Sequence, residues 1–492
     1  MFGHSLKTSI SLNAPFWRCA EVFAQAECAF LLDSGMESGR AGRYSYLGGN
    51  PAALIRGWRT SDNNNTMRLE IQTWCDPDGR VYREPKVRQF VAEPFEALRE
   101  IQAEYRLSAP EANAPFSAGL VGYFGYETAH AIESLPDTGQ DDLQLPDFAF
   151  MVIDEVLVFD HHTEQATLHV KGRGPDAKTI AESRAQWWRN GLAKPKLSEA
   201  KLGNIRTDSR VRAHFTRQQY MAAVDRCREH ILAGDVFEVC LTHRLEMDFA
   251  GSAWELFMSL RKINPAPFAS YLQFPDFKVV SASPESFLNL DTQHNVESRP
   301  IKGTRPRARD KSEDAAIIEE LRSAEKDRAE NIMIVDLVRN DLGRVCEIGS
   351  VRVPEMLTVE TYATVHQLVS TVQGKLKSEF DAFDLVRACF PGGSMTGAPK
   401  IEAMKIIDSI EPVKRGVYSG AIGFIDHSGA MDLGMVIRTI ICRDGVATFG
   451  VGGAIVSDSD PGAEYDETMD KARALIAAIE SLNQDHANRG EN

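Results

Sequence analysis

The feature that most restricts this chain is the succession of strand-like runs in its second half, at residues 236–245, 269–274, 279–290, 417–425, 435–442 and 446–456. Helical patterns fill only some of the gaps, at 312–322, 327–342, 382–389, 400–410 and 463–482, after an amphipathic helix at 217–233. Consecutive strands with so little between them pair antiparallel, because a parallel neighbour needs a long crossover. The expected class is α+β with antiparallel sheets, not a doubly wound parallel sheet.

At 492 residues the chain is long for one ordinary domain. It divides into an N-terminal α+β lobe over 1–190, a connection over 191–211 rich in Lys, Ser and Gly, and a C-terminal lobe over 212–485. The first lobe shows short strands at 152–159 and 166–170 and a helix at 176–190, and the Asn-rich tract 62–66 reads as an exposed loop tip. No run of about 18 apolar residues occurs, so no membrane span is expected. Residues 1–16 lack the basic flank and apolar core of a secretion signal. The eight cysteines are scattered, without CxxC or zinc spacing, which fits reduced thiols in a cytoplasmic protein.

A formal charge of −15, with no basic stripe and interleaved aromatics, argues against a nucleic-acid partner. It also means that an anionic substrate would need local help, and a bound divalent cation is the economical form of it. One short segment, 298–307, carries the most chemistry. It sets Lys302 between Pro300, which stiffens the backbone, and Gly303, which lets the backbone approach a ligand closely. Held in a cleft, partly dehydrated and near the arginines, this amine is expected to have a lowered pKa and to act as nucleophile or base.

Two acidic pairs stand out. Asp327 and Glu330 share one helix face, and Glu464 and Glu467 have the same spacing near the start of the last helix, where Asp460 can cap and Pro461 fits the first turn. Four such carboxylates can hold a hard cation such as Mg²⁺, or simply pair with Lys326, Arg328 and Lys471 at helical spacing. Glycine loops at 391–400 and 449–456 can gather backbone N–H groups around an anion, or be a turn and a closely packed strand. Neither is a nucleotide motif. Arg438, a cation inside an apolar strand, is either paired structurally or a bidentate carboxylate ligand. The doublet His161 and His162 reads as surface, and the chain has neither a GxSxG elbow nor a glutaminase-like triad.

Together these segments resemble the chorismate-utilising enzymes related to anthranilate synthase component I. The likeness runs from about 234 to 472 through eight ordered motifs at 234–242, 264–268, 283–287, 300–304, 329–341, 391–400, 415–420 and 458–471. It is weaker upstream, at 31–34, 119–127 and 145–147. The resemblance implies antiparallel sheets around a central cleft, and Mg²⁺ bridging Glu330 and Glu467 to the substrate's ring carboxylate, with Asp327 and Glu464 supporting. It implies that Arg438, Tyr418 and backbone N–H groups near Gly452 and Gly453 meet the second carboxylate, with Thr304 and Thr396 as hydroxyl contacts. The region of Leu32 and Ser34 corresponds to a tryptophan pocket in some relatives.

Lys302 points within this family to the branch that makes aminodeoxychorismate for p-aminobenzoate and folate. Anthranilate synthases resemble the chain but carry alanine at this position. The resemblance then implies that Lys302 attacks the ring as the hydroxyl leaves, that Glu285 protonates that hydroxyl, and that ammonia from a separate glutamine amidotransferase subunit displaces the enzyme. Isochorismate-forming relatives have a water-activating lysine where this chain has Glu238. Two departures are Gln367, with His366 beside it, where the family commonly has histidine, and Ala454 where glycine is frequent. Anthranilate synthesis and a non-catalytic chorismate- or tryptophan-binding homologue are the competing expectations.

Overall fold

The computed structural model describes residues 3–34, 42–60, 65–107, 115–193, 210–362 and 364–490, with side chains to residue 483. Two twelve-stranded sheets dominate the described residues. The first runs Gly3–Ile10, Gln165–Arg173, Glu155–Asp160, Tyr44–Gly49, Ala29–Asp33, Phe268–Gln273, Lys278–Ser283, Thr439–Arg443, Val446–Ile455, Glu238–Asp248 and Arg212–Ala213. The second runs Ile301–Pro306, Val365–Lys375, Asn295–Arg299, Ser286–Leu290, Met431–Met435, Ala421–Asp426, Gly119–Phe124, Phe148–Ile153, Ala53–Arg59, Met67–Cys75 and Val81–Ala92. The two-residue strand Gly397–Ala398 and the ten-residue strand Arg352–Thr361 complete them.

The sheets pack face to face, and helices cover their outer faces. Alternation along each strand shows it, because successive side chains point to opposite sides. In Phe148–Ile153, Phe148, Phe150 and Val152 join Phe95, Leu98 and Phe383 beneath helices Pro94–Tyr105 and Ala382–Cys389. Ala149, Met151 and Ile153 instead join Phe30, Tyr46, Phe274 and Val279, which come from the other sheet. A strand covered on both faces reads as continuous apolar sequence. Fully burying each large side chain contributes roughly 1.5–3 kcal/mol. The far face of the first sheet is covered by Ala177–Leu192, Ala253–Ile263 and Pro461–Gly490.

The α+β class and antiparallel pairing are present as expected. Strands from before and after residues 191–211 interleave in both sheets: Ala29–Asp33 pairs with Phe268–Gln273, and Gly119–Phe124 with Ala421–Asp426. The expected connection lies mostly in 194–209, outside the described residues, and helix Ala177–Leu192 runs two residues into it. Residues 62–64 of the Asn-rich tract also lie outside them, while Asn65 is exposed. No helix among the described residues is long and apolar enough to cross a membrane, and all eight cysteines are free thiols.

Three runs expected to be single strands are each two strands in different sheets. Residues 279–290 split into Lys278–Ser283 in the first sheet and Ser286–Leu290 in the second. Pro284 cannot donate to a ladder, so the chain leaves one sheet there and enters the other. Residues 435–442 divide between Met431–Met435 and Thr439–Arg443, and 152–159 between Phe148–Ile153 and Glu155–Asp160. Glu285 and Arg438 fall in the first two of these crossings. The expected strand 417–425 begins only at Ala421, leaving Tyr418 in the preceding turn.

Candidate active site

A cavity of about 950 Å³ opens between helices Glu325–Val345 and Pro461–Gly490, the strand Ile301–Pro306 and the two sheet crossings. Lys302, Gly303, Thr304, Glu285, Tyr418, Arg438, Gly452, Gly453, Asp327, Glu330 and Glu467 all line it. Their convergence from segments up to 182 residues apart in sequence, from Glu285 to Glu467, is produced by the sheets and not by local motifs.

A register shift between Ile301 and Thr304 lifts Lys302 and Gly303 out of the ladder with Val365–Lys375. Gly303 takes φ +83°, and a Cβ there would lie 2.9 Å from Asp327, so only glycine fits. Lys302 Nζ donates to Glu238 Oε1 at 2.9 Å and lies 3.5 Å from Glu330 Oε2. Burial alone would lower the lysine pKa, but the charges of Glu238 and then Glu330 outweigh it and hold the ammonium well above its usual value. The expected lowering is thus reversed. The arginines meant to cause it turn elsewhere: Arg305 to Glu320 and Asp327, Arg299 to Glu360, and Arg307 to Asp314.

Glu285 sits where the chain passes from one sheet to the other. Burial pushes its carboxyl up to about 7, with the Ser394 hydroxyl and Lys302 pulling more weakly the other way. It therefore carries a proton for much of the time near neutrality, which suits a general acid.

Each of the four helix carboxylates has a cationic neighbour. Asp327 accepts from Arg305 at 2.8 Å, Glu467 pairs with Lys471 at 2.7 Å, and Lys326 lies 3.3 Å from Glu464 and 3.9 Å from Glu330. The helical-spacing pairs Lys326–Glu330 and Lys471–Glu467 therefore exist, and Lys326 also ties the two helices together. Among the described residues no three of the four acids bring oxygens within 4.8 Å of one another. Yet Glu464 is buried and its Oε2 has no hydrogen-bond partner. A Cβ on Gly453 would stand 3.2 Å from that oxygen and 3.6 Å from Glu467 Oε1, so the glycine keeps the backbone close to both acids. Hard carboxylate oxygens from two facing helices, one of them unpartnered, fit a Mg²⁺ ion that keeps several waters. Asp460 Oδ1 accepts from Ala463 N at 2.8 Å, the expected cap of the second helix.

The expected anion contacts lie on the adjoining wall. Past Phe449 the strand Val446–Ile455 has a neighbour on one side only; Gly453 turns its backbone to the ladder with Leu241, whereas Gly452 faces away from it, its carbonyl accepting from Lys471 Nζ at 2.8 Å. Arg438 takes φ +52° at its crossing, and its guanidinium has no partner among the described residues. Burial lowers its pKa. The Tyr418 ring lies over Gly450, where a Cβ would be 2.2 Å from Cδ1.

Thr304 Oγ1 accepts from Gln367 Nε2 at 3.5 Å, and both residues line the cavity. His366, one residue earlier, is fully buried on the other side between Thr361 and Asp314. Thr396 is not brought to the wall. Its buried hydroxyl lies 3.3 Å from the Gly393 carbonyl, and Ser394 and Met395 line the cavity in its place. Leu32 and Ser34 lie elsewhere, on the first sheet, where Ser34 donates to the Tyr44 carbonyl and the adjacent Asp33 is paired with Arg261. Sequence reasoning noted position 238, where isochorismate-forming relatives carry a lysine, but missed Glu238 as the partner of Lys302.

Comparison with known proteins agrees with this arrangement. The profile of the family described as chorismate binding enzyme matches residues 55–477. An aminodeoxychorismate synthase of Streptomyces pristinaespiralis is 42% identical over 477 residues, covering 95% of this chain, which spans 63% of that relative's length. Anthranilate synthase component 1 of Acetivibrio thermocellus is 35% identical, with 94% of this chain and 92% of the relative covered. The crystal structure of anthranilate synthase component I from Streptococcus pneumoniae superposes with a TM-score of 0.74 at 31% identity, covering 89% of this chain and 93% of the other. With the profile spanning most of its length and the same architecture in a solved relative, the chain belongs to the chorismate binding enzyme family.

Proposed function

We propose that the protein makes 4-amino-4-deoxychorismate from chorismate and ammonia, and that a glutamine amidotransferase supplies the ammonia. The observation that carries this reading is that Lys302, Glu285 and the unpartnered Arg438 line one cavity. The identity to the Streptomyces aminodeoxychorismate synthase supports it.

Arg438, Tyr418 and the backbone N–H of Gly452 would hold the enolpyruvyl carboxylate. Glu330 and Glu467, supported by Asp327 and Glu464, would hold Mg²⁺, which steadies negative charge on the ring carboxylate. Lys302 is an ammonium and must first lose a proton, and Glu238 at 2.9 Å is the acceptor. The freed lone pair then attacks the ring, and the C–O bond breaks as Glu285 gives its proton to the departing hydroxyl, which leaves as water. Ammonia adds to the carbon the hydroxyl left, and the bond to lysine breaks. The lysine nitrogen recovers its proton from Glu238, and the new ammonium group returns one to Glu285. Both acids end as they began.

Chorismate incubated with ammonium salts and Mg²⁺, its products separated by chromatography, tests the reading. Aminodeoxychorismate with the side chain retained supports it. Anthranilate with release of pyruvate overturns it in favour of the activity named for the Acetivibrio relative.

A further inference from the structure

The segment 415–420 contributes Tyr418 to the cavity, but its first residue points elsewhere. Arg415 is buried, and its guanidinium donates to four residues, two of them, Met395 and Cys240, from distant segments. Nε and Nη2 donate to the two oxygens of Glu411 at 2.8 and 2.7 Å. Nη1 donates to the Met395 carbonyl at 2.7 Å and lies 3.3 Å from Ser419 Oγ, and Nη2 also donates to the Cys240 carbonyl at 2.7 Å. Glu411 in turn accepts from the backbone N and the hydroxyl of Thr242, at 2.8 and 2.9 Å. The ring of Tyr126 covers the guanidinium at 4.5 Å.

Three of these partners adjoin or belong to residues on the cavity wall. Cys240 and Met395 line it themselves, and Ser419 follows Tyr418. Cys240 is two residues from Glu238, on the same strand and the same side, and Glu238 holds Lys302. The planar, five-donor fork of arginine can join these segments at fixed angles, whereas lysine could reach only some of them.

We infer that Glu411 and Arg415 are positioning residues that fix the distance between the Tyr418 side of the cavity, which binds the substrate's carboxylate, and the Cys240 strand, whose Glu238 holds Lys302. The inference rests on the proposed reaction for the group being positioned. The pair touches no substrate. Its effect is to keep the ring carbon in line with the lysine amine when the carboxylate is seated, and misplacement of about 1 Å costs as much as 10²-fold in rate.

Two variants test it in the full-length enzyme. Arg415→Lys removes at least one of the carbonyl anchors, and Thr242→Val removes the hydroxyl bond from the strand to Glu411 while keeping the backbone N–H bond and the ion pair, so it remains informative if the first variant fails to fold. Each is measured well below its melting temperature, with the folded fraction fixed by near-ultraviolet circular dichroism and chorismate affinity measured by calorimetry. The expected result is a fall in kcat of about tenfold or more with chorismate affinity changed by less than about threefold, because Arg438 and the metal ligands are untouched. Variants that melt earlier but keep wild-type kcat per folded molecule would show a purely structural pair and overturn the inference, and so would a loss confined to affinity. Product identity tests the proposed reaction, whereas the ratio of variant to wild-type turnover tests the positioning, so either can fail alone.

Discussion

Lys302 Nζ and Glu238 Oε1 meet at 2.9 Å across the gap between the two sheets, the ammonium carried by the second sheet and the fully buried carboxylate by the first. Glu238 Oε2 has no partner, so the pair is half-satisfied and depends on the lysine for its charge balance.

Removing one partner should therefore cost more than removing both. Lys302→Met is expected to destabilise the fold by about 3–5 kcal/mol, because it strands a buried carboxylate, and Lys302→Met with Glu238→Gln to recover most of that loss. Urea unfolding of the three proteins checks the order. Turnover of both variants should drop by roughly 10²–10⁴ if lysine is the nucleophile.

Glu285 sets a pH limb. Its folded value is raised from 4.5 to about 7, so the proton it must donate is present below that pH and lost above it. Initial rates across pH 5.5–9 should fall through about pH 7 as the medium becomes more alkaline, and Glu285→Gln should be slow and lack this limb. The sign for stability is the same: the favourable contribution of the protonated form is complete below the ordinary carboxyl value and disappears as pH rises through about 7. A rate that climbs across that range would remove Glu285 as the acid.

The helix carboxylates predict a requirement for a divalent cation. Chelation should abolish turnover and added Mg²⁺ restore it. Gly453→Ala, which puts a methyl 3.2 Å from Glu464 Oε2, should raise the Mg²⁺ concentration needed for half-maximal rate by about tenfold. Unchanged titration curves for this variant and for Glu467→Gln would exclude the assignment of the ligands.

His366 and Gln367 should separate stability from activity. His366 is fully buried and bonded to Thr361 and Asp314, so His366→Ala is expected to cost about 2–4 kcal/mol while leaving turnover per folded molecule nearly intact. Gln367→Ala, at the cavity wall beside Thr304, should raise the KM for chorismate with little change in melting temperature. Parallel thermal melts and kinetics distinguish the two.

The sequence carried the identities of most cavity residues because they lie in short motifs whose side-chain types announce a job: Lys302 between proline and glycine, acids three apart on helices, an arginine inside an apolar strand. It carried less of their arrangement. Residues 279–290 look like one strand because both halves are apolar, and only Pro284 marks the place where the chain changes sheets. The electrostatic state of Lys302 was misjudged for a similar reason. Its chain neighbours Arg299, Arg305 and Arg307 are near in sequence but bonded elsewhere, whereas the groups that decide its charge, Glu238 and Glu330, arrive from 64 and 28 residues away. Thr396 fails differently: a hydroxyl in a glycine-rich loop looks available until its own turn claims it.

The interleaving of early and late strands has a consequence for how the polypeptide acquires its shape. The strand Ala29–Asp33 finds its second neighbour only after residue 273 has been made, and Gly119–Phe124 waits for residue 426. Neither half can close its own edges during synthesis, so contact order is high, folding is slow, and fragments cut near residue 200 should aggregate until the complementary piece is supplied.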